Sequence, residues 1–281
     1  MKRNIVIFVT AILFFSCSSL PKDTGDINII RKQAEKEHAV ANSEAGKGNY
    51  EIAKGLLEEC RRKAILADDW GLLIRCRLSL GNVLFSMGQD TAFSEWEKAV
   101  QLAQKYNNRE LLSVSKIYQA RGALISGKAQ AQTVLDEVNR EAANIKNDKL
   151  YLAFSWQVKG LAYRALGSYK EAENAFTQSL SIHEKAKYLD NASYDWYTIA
   201  SIRSMSGDTQ GAIKALEEAI KLDRRIENSW GLAANWRALG DIYRKTGNTQ
   251  AANEAYLRAK DIYTALGNLK DAAEIDKRMV N

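Results

Sequence analysis

Roughly every forty residues, this 281-residue chain returns a glycine or alanine to the same place in the same apolar pattern. Gly81, Gly122, Gly160, Ala200 and Gly240 step by 41, 38, 40 and 40 residues. The pattern is cleanest around Gly240. Trp236, Leu239, Gly240 and Tyr243 fall at i, i+3, i+4 and i+7, which is one stripe of a helix. Ala252, Tyr256 and Ala259 follow at i, i+4 and i+7, a stripe on a second helix. Gly247 lies between the two, where a helix end favours a residue that accepts left-handed φ. A helix pair of this kind buries its stripes by stacking on copies of itself, so the spacing predicts a solenoid.

Further copies support that reading. Leu80, Gly81 and Leu84 with Ala92, Trp96 and Ala99 form one. Trp156, Gly160 and Tyr163 with Ala172, Phe176 and Ser179 form another, and Trp196, Ala200 and Arg203 with Ala212, Leu216 and Ala219 a third. Two copies are degenerate: Ala53, Leu57 and Cys60 after Gly48, and Ala131, Leu135 and Val138 after Gly122. The string Trp-x2-Leu-Gly-x2-Tyr, then Ala-x3-aromatic-x2-Ala, resembles the tetratricopeptide repeat. The longer period resembles the kinesin light chain and Leu-Gly-Asn adaptor type, over about residues 30–270. The resemblance implies an all-α superhelix of six helix-turn-helix repeats over 28–267 and a capping helix over 268–281, thirteen helices in all. Hinges are expected at Asp68-Asp69, Asn107-Asn108, Asn147-Asp148, Asp190-Asn191, Glu227-Asn228 and Gly267-Asn268, where Asn and Asp can end one helix and cap the next. Ser168 and Glu171 have capping-box spacing.

The amino terminus reads differently. A short basic start (Lys2, Arg3) precedes eleven largely apolar residues, Ile5 to Phe15, too few to span a bilayer but matching a secretory signal. Cys17 after Ser16 resembles a bacterial lipobox, with Phe14 and Phe15 departing from the usual Leu and small residue. That resemblance implies removal of residues 1–16, acylation of Cys17 and a short polar tether over 17–27. Two or three acyl chains hold a protein stably at a membrane, since each buried methylene contributes about 0.8 kcal/mol. Ser18 is not the Asp of an inner-membrane retention signal, so the expected location is the outer membrane, facing the periplasm.

Net charge is +6, about +4 without Lys2 and Arg3, and the charges are interspersed along helices. That pattern describes solvated faces and gives no nucleic-acid surface. No catalytic motif, phosphate loop, cofactor motif or metal-ligand spacing is found, so a non-enzyme without cofactor or metal is expected. His183 is read as lying on a solvated face. Cys60 and Cys76 flank the first hinge at equal distances, which leaves two buried thiols or a periplasmic disulfide open.

The remaining site is the concave groove that the resemblance implies, lined by positions two, five, nine and twelve of each first helix. Those positions give Arg75, Asn82 and Phe85; Lys116 and Gln119; Gln157 and Arg164; Tyr194 and Tyr197; and Arg237, Asp241 and Arg244. Tyr, Phe and Arg are the types that carry interface energy. Asn42 and Lys116 match two places of the carboxylate clamp known in some family members, but His38, Ser79 and Ala120 do not, so that ligand is not expected. The leading expectation is a membrane-anchored adaptor that binds a protein or peptide segment of the cell envelope. The alternatives are a periplasmic small-ligand or transport accessory protein and, if the amino terminus is uncleaved, a cytoplasmic signalling adaptor.

Overall fold

The computed structural model describes residues 28–280. The signal, Cys17 and the tether lie outside those residues. Thirteen helices follow one another without a strand among the described residues. They pair as α1 (Ile29–Gly46) with α2 (Tyr50–Leu66), α3 (Trp70–Ser86) with α4 (Thr91–Lys105), and α5 (Arg109–Ile125) with α6 (Ala131–Ala142). Then come α7 (Lys149–Ala165) with α8 (Tyr169–Ala186), α9 (Leu189–Ser206) with α10 (Thr209–Arg225), and α11 (Ser229–Lys245) with α12 (Thr249–Ala265). A last helix, α13 (Leu269–Val280), covers the exposed end of α12. First helices also touch first helices of adjacent repeats, α1 with α3, α3 with α5, α5 with α7 and α9 with α11, and so form an inner layer.

Two kinds of turn alternate, for different chemical reasons. Within each repeat the turn uses a glycine at left-handed φ: Gly48, Gly88, Gly127, Gly167, Gly207 and Gly247, spaced 40, 39, 40, 40 and 40 residues apart. Between repeats, Asp68, Asn107 and Glu227 adopt φ of 52°, 52° and 57°, and the next residue caps the following helix. Asp69, Asn108 and Asn228 accept from the backbone N–H groups of Leu72, Leu111 and Gly231. Asp148 and Asn268 cap α7 and α13 in the same way. Two expected features are corrected. The hinge between α8 and α9 is Lys187, at φ 60°, followed by Tyr188, while Asp190 and Asn191 lie inside α9. Ser168 makes no side-chain cap bond, so the Ser168–Glu171 capping box is not formed.

The turn glycines also correct the register of the third repeat. Counting back seven residues from each gives Ala41, Gly81, Ala120, Gly160, Ala200 and Gly240 as the equivalent close-contact positions. Ala120, not Gly122, belongs to this series. Gly122 instead meets the previous repeat: a Cβ there would lie 2.3 Å from the Trp96 ring, and one at Gly81 would lie 2.3 Å from its Nε1. Trp96 is fully buried between the two, and its Nε1 donates to the Leu78 carbonyl at 3.3 Å. Gly160 and Gly240 are pressed equally closely by Phe176 and Tyr256 of their own second helices.

The superhelix then meets itself. Gly48, in the α1–α2 turn, lies against the indole of Trp230 at the start of α11; a Cβ at that position would be 2.8 Å from the ring. Gly46, at the end of α1, faces the Asp190 carboxylate. The curvature of the described chain therefore brings the first repeat against the fifth and sixth, with the first helices on the inner side. Cys60 and Cys76 are both fully buried between α2 and α3, with Cα atoms 6.4 Å apart and their sulfurs at disulfide distance.

Two outcomes are expected. Gly88→Ala, with open space beside it, should cost only the left-handed backbone term of about 1 kcal/mol, while Gly48→Ala should cost about 2–4 kcal/mol in urea denaturation because Trp230 must also move. Equal losses would mean that the self-contact contributes nothing. Cys60→Ala should lower stability by about 3 kcal/mol, the entropy of a closed loop of this length, and the oxidised protein should show no free thiol at either position by mass spectrometry.

Candidate functional site

The inner face is built from first-helix positions, and the structure divides the expected groove residues into three groups. Arg75, Asn82, Tyr197 and Arg237 belong to the inner face. Arg75 lies beside the half-buried His38, whose Nε2 is 3.0 Å from the Ser79 hydroxyl. Burial, then the Arg75 charge, pulls the His38 imidazole down to about 4. Asn82 hydrogen-bonds Tyr118, which is buried and pushed up to about 12 chiefly by desolvation. The Oδ1 of Asn82 is itself buried without a partner. Tyr118 stacks on Phe154 at 4.3 Å, and Tyr151, whose hydroxyl is pushed up chiefly by burial, lies near both Tyr118 and Arg75. In the carboxyl-terminal half, Arg237 hydrogen-bonds Tyr197 and lies near Tyr263 and Asp241.

A second group turns towards the second helices at the rim. Phe85 packs on Phe93 and Trp96, with centroids at 6.1 and 5.6 Å. Arg244 donates to the Tyr256 hydroxyl at 3.0 Å and lies over that ring. Asp241 accepts from Tyr256 and from Arg278 of α13, at 2.7 and 2.6 Å. Arg164 occupies the matching position in its repeat and is half-buried. Tyr194 is exposed, with its ring edge-on to Phe176.

A third group is not in the groove. Lys116 donates to Glu141 of α6 at 2.9 Å, and Gln119 to Glu97 of α4 at 2.8 Å. Both therefore face the outer helices. The cause is the register of repeat three: counted from Ala120 they stand at positions four and seven, and position nine is Arg121. Gln157 is buried and donates to Asp195 Oδ1 at 2.8 Å.

Asp195 also corrects the reading of His183. That histidine is not on a solvated face but is 1% exposed, with Nδ1 2.7 Å from Asp195 Oδ2. Ser179 donates to the same oxygen at 2.8 Å. Three donors thus satisfy one fully buried carboxylate, as an interior acid requires. The set contains Ser, His and Asp but is not a nucleophilic relay, because hydroxyl and imidazole both spend their protons on the aspartate and solvent does not reach them. Asp223, between α10 and α11, has a related setting: Asn228 and Asn235 donate to it, and burial pushes it up to about 6. No group of three or more His, Cys, Asp or Glu converges as a metal-ligand set among the described residues, and no described helix is long and apolar enough to cross a membrane.

What the inner face can do is bind. Arg75, Arg121 and Arg237 form no ion pair among the described residues, and Arg237 shares its guanidinium only with the Tyr197 hydroxyl, so charged donors remain for a ligand. The motif spacing does not by itself mark Tyr118, Tyr151, Arg121 or His38 as inner-face residues. Arg121 was recoverable from the forty-residue step ending at the Gly127 turn, whereas Tyr118 and Tyr151 depend on how neighbouring repeats cross. The His38 environment predicts a pH effect. The folded state holds His38 neutral, while the unfolded chain takes up a proton near pH 6.5. Stability should therefore fall as pH drops from about 6.5 to about 4, and His38→Gln should flatten that limb in pH-dependent thermal melts. An unchanged slope in the variant would mean that other groups set it.

Comparison with known proteins agrees with this geometry. Residues 155–186 and 192–277 match tetratricopeptide-repeat family models. Photosystem I assembly protein Ycf3 of Rippkaea orientalis is 25% identical over 118 residues, which cover 42% of this chain and 66% of that protein's length. Bacillus thuringiensis PlcR, solved in complex with the peptide PapR7 and DNA, superposes with a TM-score of 0.62 at 14% identity, covering 91% of this chain and 96% of that one. Kinesin light chain-type repeats from Podosopora anserina superpose with a TM-score of 0.53 at 20% identity, covering 69% and 96%. The chain carries tetratricopeptide repeats, stacked as an all-α solenoid.

Proposed function

We propose that the protein is a non-enzymatic adaptor, tethered to the cell envelope by lipid on Cys17, whose inner face holds an extended segment or helix of another envelope protein. The observation that carries this reading is a set of cationic, aromatic and amide groups gathered on the inner face. Arg75, Arg121 and Arg237 are without ion pairs among the described residues, Tyr151 and Tyr197 line the same layer, and Asn82 Oδ1 is buried with no partner. Guanidinium and amide groups in such a layer can grip a peptide backbone or carboxylate, and the tyrosines supply contact area at little entropy cost. The PlcR complex with a peptide offers an analogy on the same fold.

Two features support export. The leader reads as a lipoprotein signal, and the Cys60–Cys76 pair suits an oxidising compartment. Anchoring on the periplasmic side of the outer membrane would raise the local concentration of a membrane partner without any new contact.

The test is site-specific photocrosslinking in the native host, with the probe at Tyr151, Tyr197 or Arg237 and a control at exposed Lys214 of α10. The inner probes should give one shared envelope-protein adduct that Lys214 does not, and the adduct should fade at least tenfold when Arg75→Ala and Asn82→Ala are combined in a chain that keeps its helical spectrum. Palmitate label should be found on Cys17 and be lost in Cys17→Ser. Identical adducts from inner and control positions would remove the inner face from consideration.

A further inference from the structure

On the outer layer, away from the inner face, a cleft of about 610 Å³ opens along α10 and α11. Its floor is Trp236, Leu239 and Tyr243 of α11, and α10 contributes Glu217, Lys221, Arg224 and Arg225. Trp236 is approached from both neighbouring second helices. The Arg224 guanidinium of α10 lies 5.8 Å from its ring centroid and that of Arg258 on α12 lies 4.5 Å away.

Three observations separate this cleft from ordinary solvated helix surface. Its cations are not neutralised: Arg224, Arg225 and Arg258 have no ion pair among the described residues, and Lys221 reaches only Glu218, at 3.5 Å. The fold does not call for them either. Forty residues earlier the same register places Glu184 and Glu218 around Trp196, where Arg224 and Arg258 stand around Trp236. Both versions are accommodated by the same helix pairs, so the sign of the charge is free to serve something else. Finally, the volume lies in the range of a binding site and is large enough for a few side chains.

We propose that this cleft is a second docking site, for an acidic, carboxylate-rich segment of a partner protein. A guanidinium held over an indole keeps its N–H edges directed outwards, where they can take a carboxylate two bonds at a time. Several cations surround the cleft against the single carboxylate of Glu217, so the complement is an acidic chain. The apolar floor between them takes a Leu-like side chain. An adaptor with one ligand site inside the superhelix and another outside can hold two segments at once.

The experiment uses the full mature chain and a fluorescein-labelled peptide of Glu and Leu residues, read by fluorescence anisotropy against the same peptide with Gln for Glu. The expected result is at least tenfold preference for the Glu peptide, weakening as salt is raised. R224E/R258E, which installs the charges found one repeat earlier, should abolish that preference. R224Q/R258Q should reduce it and serves as the readout if the first variant is unfolded by circular dichroism. Substituting Tyr197→Ala on the inner face should leave it intact. Equal binding of the Glu and Gln peptides, or undiminished preference in the folded R224E/R258E or R224Q/R258Q chain, overturns the proposal. Sedimentation showing a wild-type dimer that R224E/R258E dissolves would assign the cleft to a second copy and overturn it as well.

Discussion

The solenoid rests on aromatic rings pressed against bare backbone. Trp96 is held between Gly81 and Gly122, Phe176 lies on Gly160, and Tyr256 on Gly240, at distances that leave no space for a Cβ. Close approach of this kind lets each ring fill the space between a first helix and its neighbours at interior packing density. Trp96 also links successive repeats. It is followed by Tyr118 and Phe154, a run of ring contacts from repeat two to repeat four. Once those contacts are made, the angle between repeats is set, and so is the curvature that brings Gly48 round to Trp230.

Turn chemistry keeps that packing in register. A left-handed glycine inside each repeat and an Asx-capped or left-handed residue between repeats hold the period at 39 or 40 residues, even where the motif itself decays. The third repeat shows the value of the turns as markers. Its helices lack the aromatic signature, and Gly122 invites a misplaced alignment because it too sits under a tryptophan. That tryptophan is Trp96, which belongs to the preceding repeat. Reading from Gly127 removes the ambiguity and moves Lys116 and Gln119 to the outer side, where Glu141 and Glu97 meet them.

The buried polar network around Asp195 shows a different limit. Gln157, Ser179 and His183 lie on α7 and α8, and each is unremarkable in its own helical stripe. They converge only because α9 carries an aspartate into the gap between those helices, and a buried carboxylate recruits every donor in reach. The outer cleft at Trp236 has the opposite character. There the arginines of α10 and α12 cover an indole without a carboxylate to meet them.

The residues alone therefore determined the helical class, the period, the six pairs, the final polar helix and most of the hinges, since all of these follow from local spacing and turn chemistry. Tertiary structure decided which polar side chains belong to the inner face, which are spent inside the wall, and that the first turn closes on α11. It also brought the two cysteines of α2 and α3 together. The physical reason is range: a helical stripe reports which face of one helix is apolar, but not which neighbouring helix will cover it. Trp236 illustrates the division. Its place in the motif identified it as packing, and only the crossing of α10 and α12 above it revealed a ring that two unpaired arginines share.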